Sequence, residues 1–266
     1  ERLSERLTIE TQLRHAMQRD EFFLQYQPQV DLASGDINGV EVLVRWQHPE
    51  LGLVSPHKFI PLAEETGLIL PIGEWIIETA CAQAKKWNAA GWPPLRVAIN
   101  LSAQQLQHKS LVSVLGRIFR ESGLASSCLE VEITESVVVS DADAVIRLLK
   151  MLKDSGISIA LDDFGTGYSS LSYLKRLPID VLKIDQSFVR GVDVDQHDAA
   201  LTRTVIALAS SLSLRTVAEG VEVDDQAKLL AKWGCDSAQG FLFHRPASTE
   251  EITRVLSGKR NLFAIK

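Results

Sequence analysis

Two adjacent acidic residues, Asp162 and Asp163, are the feature of this sequence with the clearest chemical meaning. They follow a short run of branched apolar residues, 157–161, which is typical of a buried strand. Gly165 and Gly167 come next, so the carboxylates lie where a predicted strand gives way to a glycine-containing loop. This pattern favours an active site. The simpler alternative is that Asp163 caps the turn that follows.

Further polar residues lie where other apolar segments end. From Leu95 onwards, short apolar runs alternate with helical patterns, which indicates parallel strands joined by right-handed crossovers. The residues at or near the carboxyl ends of these predicted strands are Asn100, Glu132, Asp162, Asp163, Lys183, Glu219 and Gln239. A closed barrel gathers such ends at one mouth, whereas an open doubly wound sheet spreads them along an edge. We therefore predict an α/β fold of the TIM-type (β/α)8 class.

The predicted elements divide the chain into three parts. The predicted strands are 22–30, 40–46, 95–99, 129–133, 157–161, 179–184, 215–218 and 235–238, and the predicted helices are 4–20, 56–66, 72–90, 110–121, one that ends at 153, 198–212, 225–233 and one from 249. Because the chain begins at Glu1 without a methionine, we expect it to be a segment of a longer protein. The N-terminal helix, 1–20, is either part of this domain or equally the end of a connector from an upstream domain. The barrel domain is predicted at 21–258, and a C-terminal tail at 259–266.

The composition excludes several classes of function. The 266 residues carry a formal net charge of −6 without a basic stripe, so a polymeric nucleic acid is not expected as a partner. No apolar run reaches membrane-spanning length and no signal-peptide pattern opens the sequence. The spacing of the three cysteines is wide, which is typical of reduced cytosolic thiols; they are Cys81, Cys128 and Cys235. We predict a cytoplasmic segment without direct membrane contact, any membrane tether lying outside this sequence.

The predicted mouth concentrates negative charge. Its acidic residues are Glu41, Glu132, Asp162, Asp163 and Glu219. Their mutual repulsion would raise several pKa values and destabilise the fold unless divalent cations neutralise it. With the Asn100 amide the ligand atoms are all oxygens, which favours Mg²⁺ or Mn²⁺ over zinc, and paired aspartates suit a two-ion site that activates water against a phosphoester. Lys183 would position the water or offset negative charge, or would only form a salt bridge with Glu132 or Asp162.

Seven segments, in this order, resemble the EAL-domain family of cyclic di-GMP phosphodiesterases over almost the whole chain, from about Leu7 to Pro246. They are EVLVRW at Glu41–Trp46, NLS at Asn100–Ser102, EITES at Glu132–Ser136, DDFGTGYSS at Asp162–Ser170, KID at Lys183–Asp185, AEGVE at Ala218–Glu222 and QGFLFHRP at Gln239–Pro246. The resemblance implies a TIM-type barrel with one antiparallel strand and two metal ions at its mouth.

The resemblance also implies a role for each matching residue. Glu41, Asn100, Glu132 and Asp162 would hold the first metal, and Asp162 and Asp163 would share the second, with Glu219 nearby. Lys183, Glu219 and Asp163 are the expected catalytic residues, with Lys183 contacting the attacking water. Gln239 would support the metal-water shell, and Arg45 would bind a substrate phosphate. Glu135 would hold the DFGTGYSS loop in place, or alternatively cap the following helix, and Glu222 would assist at the edge of the site.

Two departures from the family pattern do not touch these residues. Val42 replaces the signature alanine and should face away from Glu41, while Phe241 replaces a tyrosine and loses only a hydroxyl group. The expected function is hydrolysis of cyclic di-GMP to linear pGpG, and the main alternative is a receptor that binds this nucleotide without cleaving it. A different metal-dependent barrel enzyme, such as an aldolase, would require the motif series to be coincidence. A homodimer and an upstream regulatory or GGDEF-type domain are expected.

Overall fold

A computed structural model of the protein describes residues 2–92, 94–135, 142–165, 174–258 and 262–263, with side chains described from residue 9 onwards except at 142. The described strands are β1 (Phe22–Asp31), β2 (Ile37–His48), β3 (Gly52–Val54), β4 (Arg96–Asn100), β5 (Leu129–Thr134), β6 (Ser158–Phe164), β7 (Val181–Ile184), β8 (Arg215–Ala218) and β9 (Ser237–Ala238). The described α-helices are α1 (Arg2–Ala16), α2 (Pro56–Thr66), α3 (Ile69–Ala89), α4 (Ala103–Gln107), α5 (Leu111–Ser122), α6 (Ala142–Asp154), α7 (Gln186–Val189), α8 (Gln196–Ser211), α9 (Asp224–Lys232) and α10 (Thr249–Ser257).

Eight of the described strands close into a barrel. The order around the ring is β1-β9-β8-β7-β6-β5-β4-β2, and β1 pairs with β2 to complete it. All neighbours are parallel except β1, which runs antiparallel to both β2 and β9. The short strand β3 pairs with the outer end of β2 and lies outside the ring. The predicted TIM-type barrel with one antiparallel strand is confirmed.

Strand alternation explains how this sequence builds a barrel with a polar interior. On β5, Leu129, Val131 and Ile133 are completely buried members of the apolar core, while Glu130 and Glu132 alternate with them and point the other way. Small apolar side chains, Ala160, Val181 and Val217, form a separate buried cluster on the inward faces of β6, β7 and β8. The barrel interior therefore holds charged side chains with an apolar layer between them.

Elements that the sequence patterns missed are short. The strand β3 and the helices α4 and α7 have 3, 5 and 4 residues, too few for a period to be recognised. The strand β6 also continues through Asp162 and Asp163 to Phe164, beyond its predicted end at 161.

The segments on either side of the barrel contact it. Leu13 and Ala16 of α1 are buried, and α1 packs beside α2. Near the C-terminus, Leu262 donates its backbone N–H to Gly35, and Phe263 packs its ring against Phe243. The connector role of residues 1–20 stays a prediction. No helix in the described ranges combines the length and apolar character needed to cross a bilayer.

Candidate active site at the barrel mouth

A buried lysine lies at the centre of the acidic residues. Lys183, on β7, has no exposed surface, and its Nζ lies 2.8 Å from Glu132 Oε2 and 2.8 Å from Glu219 Oε1. The same atom lies 3.1 Å from Asp162 Oδ2 and 3.9 Å from Glu41 Oε2. The barrel thus brings together side chains from β2, β5, β6 and β7 and from Glu219, which directly follows β8. Lys183 forms salt bridges with both Glu132 and Asp162, the two acids that the alternative interpretation named, and its contact with water stays a prediction.

Amide side chains fix the orientation of Glu41. Asn100, the last residue of β4, donates from Nδ2 to Glu41 Oε1 at 2.9 Å. Gln239, which follows β9, donates from Nε2 to Glu41 Oε2 at 2.6 Å. Both carboxylate oxygens therefore accept a hydrogen bond, and Glu41 is held in one rotamer at the mouth. Gln239 contacts this carboxylate directly, whereas the resemblance assigned it to a metal-water shell.

A bulge in β6 lets adjacent aspartates serve one site. Successive side chains on a regular strand point to opposite faces, so two neighbouring acids would normally diverge. Here Leu161 pairs with Leu182 and Phe164 with Ile184, so Asp162 and Asp163 together lie opposite Lys183 alone. Asp163 adopts a left-handed backbone with φ 55°, which an aspartate tolerates better than most residues, and its N–H donates to Asp162 Oδ1 at 2.9 Å.

Burial changes the proton affinity of several acids. Burial raises the pKa of Glu132 well above its ordinary value, an effect that the nearby Lys183 opposes. Burial likewise raises the pKa of Glu219 to about 8, again against the effect of Lys183. Burial, followed by the charge of Asp162, raises the pKa of Asp163. For Lys183 burial favours the neutral amine, but the surrounding carboxylates outweigh it and raise the pKa well above its usual range.

The donor set fits a divalent cation. Oxygens of Asp162, Asp163 and Glu219 all lie within 4.8 Å of one another. Oε1 of Glu132 is buried and has no hydrogen-bond partner among the described residues, so it is available as a ligand. These are hard oxygen donors, which suit Mg²⁺ or Mn²⁺. One lysine balances only one of the negative charges gathered here, and the remaining excess favours bound cations.

Arg45 lies on the outer half of the β1–β2 pair, beyond Glu41 and beside the mouth of the barrel. It is half-buried on β2, two residues along the same face from Leu43 and four from Glu41. Its Nε donates to Gln25 Oε1 at 2.8 Å and its Nη1 donates to the carbonyl of Val44 at 3.0 Å. The guanidinium is thereby held on the face of β2 that carries Glu41.

Two residues were predicted to support the site, Glu135 and Glu222. Glu135 is the last described residue before a gap, and Glu222 lies outside the acidic cluster. Glu135 follows β5, and its Oε2 is buried without a hydrogen-bond partner in the described part of the chain. Its predicted loop partners, and the helix start that it would alternatively cap, lie in residues 136–141 and 166–173, outside the described residues. Gly165 adopts φ 100°, and an added Cβ would lie 2.9 Å from the Phe188 ring. Glu222 is exposed before α9 and is not brought into the cluster around Lys183.

Sequence reasoning missed a row of glutamines on β1. Gln25, Gln27 and Gln29 alternate along this strand and so share its inward face. Gln239 Nε2 donates to Gln27 Oε1 at 2.9 Å, and Gln29 Nε2 donates to Gln239 Oε1 at 3.2 Å. Gln27 in turn donates to the carbonyl of His244 at 3.1 Å. The alternation in LQYQPQV was the signal that could have revealed this row.

A second charged cluster lies at the opposite end of the barrel. Glu130, two residues before Glu132 on β5, is completely buried and pairs through Oε2 with Arg96 at 3.3 Å and Arg215 at 3.2 Å. Ser158 donates to the same oxygen at 2.9 Å. Two arginines surround the single buried carboxylate of this cluster, in contrast to the excess of acids at the mouth, so we interpret it as structural.

The architecture is a TIM-type barrel whose mouth gathers acidic side chains. The chain belongs to the EAL domain family, whose model matches residues 10–246. It is 47% identical over 253 residues to the uncharacterized protein sll1895 of Synechocystis, covering 95% of this chain and 36% of that protein. It is 45% identical over 248 residues to the "Bifunctional diguanylate cyclase/cyclic di-GMP phosphodiesterase MucR" of Pseudomonas aeruginosa, covering 93% of this chain and 36% of MucR.

A solved structure shares both fold and sequence with this chain. The "PaMucR Phosphodiesterase, c-di-GMP complex" superposes with a TM-score of 0.88 at 45% identity, and the match covers 92% of this chain and 99% of the other. The chain thus spans about a third of the length of the curated relatives, but nearly the whole of this solved domain.

Proposed function

We propose that this chain is a phosphodiesterase that hydrolyses cyclic di-GMP to linear pGpG and requires Mg²⁺ or Mn²⁺. The observation that carries the proposal is the excess of buried carboxylates around Lys183, including a Glu132 oxygen left without a partner among the described residues. The names of MucR and of its solved complex support the choice of substrate. A small nucleotide also agrees with the net negative charge of the chain, which disfavours longer nucleic acids.

The proposed ligands are those implied by the family resemblance. Glu41, Asn100, Glu132 and Asp162 would hold one ion, and Asp162 and Asp163 would share a second with Glu219 nearby. Bound there, the ions would supply an activated water and neutralise charge on the phosphodiester. The bulge at Asp163 supports this assignment, because it directs two neighbouring carboxylates to the same cluster.

The chain's own residues would position and stabilise the reacting groups. The Lys183 ammonium would hold the carboxylates of Glu132, Asp162 and Glu219 in place and donate to the attacking water. Asp163 and Glu219 would accept protons or orient water at the mouth. Arg45 would bind a phosphate through Nη2, because Nε donates to Gln25 and Nη1 donates to the carbonyl of Val44.

Gln239, Glu135 and Glu222 have supporting roles in the proposal. Gln239 would act mainly by orienting Glu41, because its amide already donates to that carboxylate. Glu135 would hold the loop after Asp163, and a Glu135→Ala variant should then weaken Mg²⁺ dependence and turnover with little change in melting temperature. A helix cap at Glu135 would instead lower stability by about 0.5–2 kcal/mol and leave turnover nearly intact. Glu222 would contribute only at the exposed edge.

A receptor that binds cyclic di-GMP without cleaving it is the competing function. The decisive experiment incubates the chain with cyclic di-GMP and Mg²⁺, with and without excess chelator, and separates the products by chromatography. We expect pGpG only in the presence of the metal. Glu41→Ala and Asp162→Ala should each abolish cleavage in a folded protein. Binding of cyclic di-GMP without any product would establish the receptor instead.

The cellular setting is proposed from the relatives. MucR is named as bifunctional, so we propose an upstream regulatory or GGDEF-type domain in the full-length protein. A homodimer and a cytoplasmic location are proposed from the family resemblance and from the sequence. Size-exclusion chromatography with light scattering on this segment and on the full-length protein tests the homodimer.

A further inference from the structure

The outer half of the β1–β2 pair forms a rigid wall beside the mouth. Its far face is packed by aromatic rings, with Phe22 against Trp46 and Phe59 at centroid distances of 5.8 and 5.7 Å. Its near face continues the face that carries Glu41, because every second residue of a strand points the same way. A wall held by buried aromatic packing presents its near face without rearrangement.

Polarity changes along the near face as it leaves the mouth. Closest to the carboxylates, Glu41 and Gln27 pair across the strands and are buried. The next pair is Leu43 with Gln25, and the next is Arg45 with Phe23. The wall therefore offers carboxylates at its base, a cation above them, and an aromatic ring beside that cation.

Phe23 is the aromatic residue on this wall with an accessible ring. It is 38% exposed, and its Cβ lies directly across the strand pair from that of Arg45, at a separation of about 4.5–5.5 Å. No aromatic ring or guanidinium stacks on it among the described residues. Phe241, the other exposed phenylalanine, differs in this respect, because the Arg245 guanidinium lies 4.0 Å above its ring centroid.

We propose that Phe23 is a platform on which a purine base of the substrate stacks while Arg45 holds the neighbouring phosphate. Base and phosphate are joined through a single ribose, so neighbouring aromatic and guanidinium groups match their spacing. Stacking on an aromatic ring is a general mode of nucleobase binding and needs no base-edge hydrogen bonds. This inference rests on the proposed function and adds a base-binding subsite outside the family motifs.

Gln25 and Leu53 complete the subsite. Gln25 accepts the hydrogen bond from Arg45 Nε and the carbonyl of Val44 accepts one from Nη1, which leaves Nη2 for the phosphate. Leu53 is 58% exposed and pairs with Gln47, two residues beyond Arg45 on the same face. It extends the apolar surface on the other side of Arg45, so the phosphate-binding group lies between two apolar side chains.

Steady-state kinetics on Phe23→Ala, Phe23→Leu and Phe23→Trp, with saturating Mg²⁺, test the proposal. We expect Phe23→Ala and Phe23→Leu to raise KM for cyclic di-GMP about 5- to 20-fold with little change in kcat, and Phe23→Trp to preserve KM, because stacking requires a ring. Inhibition by inorganic phosphate, which has no base, should be the same in all variants. The matched control is Leu201→Ala, an exposed apolar side chain on α8, which should keep wild-type kinetics.

Unchanged KM in Phe23→Ala, or wild-type KM in Phe23→Leu, would overturn the platform. So would a rise in the inhibition constant of phosphate equal to the rise in KM, since that would locate the effect at Arg45. If the wild-type chain binds cyclic di-GMP without turnover, the same comparison is made on its dissociation constant. Absence of both binding and turnover in the wild type would refute the proposed function, whereas a normal wild type with a silent Phe23→Ala refutes the platform alone.

Discussion

The ammonium group of Lys183 lies 2.8 Å from a carboxylate oxygen of Glu132, and both side chains are buried inside the barrel. Removing one partner of a buried ion pair leaves an uncompensated charge, which costs far more than removing an exposed one. The chain contains a matched exposed pair, Lys153 with Asp180 at 2.7 Å, in which both side chains keep about a third of their surface exposed.

We predict that Lys183→Met lowers the free energy of unfolding by about 3–5 kcal/mol in the presence of chelator. The reason is that Glu132, Asp162 and Glu219 lose the cation that they share. Lys153→Met should cost less than about 1 kcal/mol. Urea denaturation of both variants at pH 7 measures the difference, and equal losses would show that the buried cluster is already neutralised by other means.

The bulge at Asp163 predicts two different responses to substitution. Asparagine adopts the left-handed conformation readily, so Asp163→Asn should keep the wild-type melting temperature while the lost charge weakens Mg²⁺-dependent activity about 10- to 100-fold. Valine disfavours this conformation, so Asp163→Val should in addition lower stability by roughly 1–2 kcal/mol. Thermal denaturation together with a Mg²⁺ titration of activity checks both. A stable Asp163→Val would contradict the role of the backbone.

Metal removal tests the acidic mouth directly. Mg²⁺ and Mn²⁺ should raise the melting temperature, because a ligand that binds only the folded state stabilises it, and both should support turnover. Ca²⁺ should also raise the melting temperature but inhibit, because its larger, looser coordination shell fits a tightly spaced two-ion site poorly. Asp162→Asn should reduce all three thermal shifts. Full hydrolysis in excess chelator would rule out the metal mechanism.

Gln27 is predicted to act on Glu41 through Gln239. A Gln27→Leu variant removes the oxygen that accepts from Gln239 at 2.9 Å, so the Gln239 amide is less firmly directed at Glu41. We expect the Mg²⁺ concentration for half-maximal activity to rise about tenfold, with near-normal turnover once Mg²⁺ is saturating. Gln12→Leu, at a partly buried glutamine of α1 outside the barrel, is the control and should change neither quantity. A fall in turnover at saturating Mg²⁺ would instead mean that Gln27 contacts the substrate.

The buried cysteines predict a pH dependence of stability. Burial raises the pKa of the Cys81 thiol to about 12 and that of Cys235 to about 11. Unfolded thiols titrate near pH 8.5, so the stabilising contribution is complete below that pH and is lost as the pH rises towards 11–12. Unfolding free energy should therefore fall between pH 8 and pH 10.5, and less so in Cys81→Ala and Cys235→Ala. Rapid alkylation of the native protein at pH 8 would contradict the burial.

The strand ends, the acidic residue types and the family can all be inferred from local patterns in the sequence. Apolar runs that end in Asn100, Glu132 or Glu219 are local patterns, and the period of a strand or helix is visible in a short window. The barrel could be predicted from the repeated alternation of strands and helices, because parallel strands with right-handed crossovers bring all their carboxyl ends to one side. Short elements such as β3 and α4 were not predicted, because a periodic pattern cannot be recognised in so few residues.

How these side chains face one another depends on contacts between distant parts of the chain. The bulge that turns Asp163 toward Asp162 depends on the register between β6 and β7, and register is set by pairing between distant parts of the chain. The same is true of Gln27 and Gln239, which are 212 residues apart in sequence yet share a hydrogen bond because β1 closes the barrel against β9. Lys183 lies among the acids because side chains from several strands meet inside a closed barrel, and no pattern local to one strand contains that information.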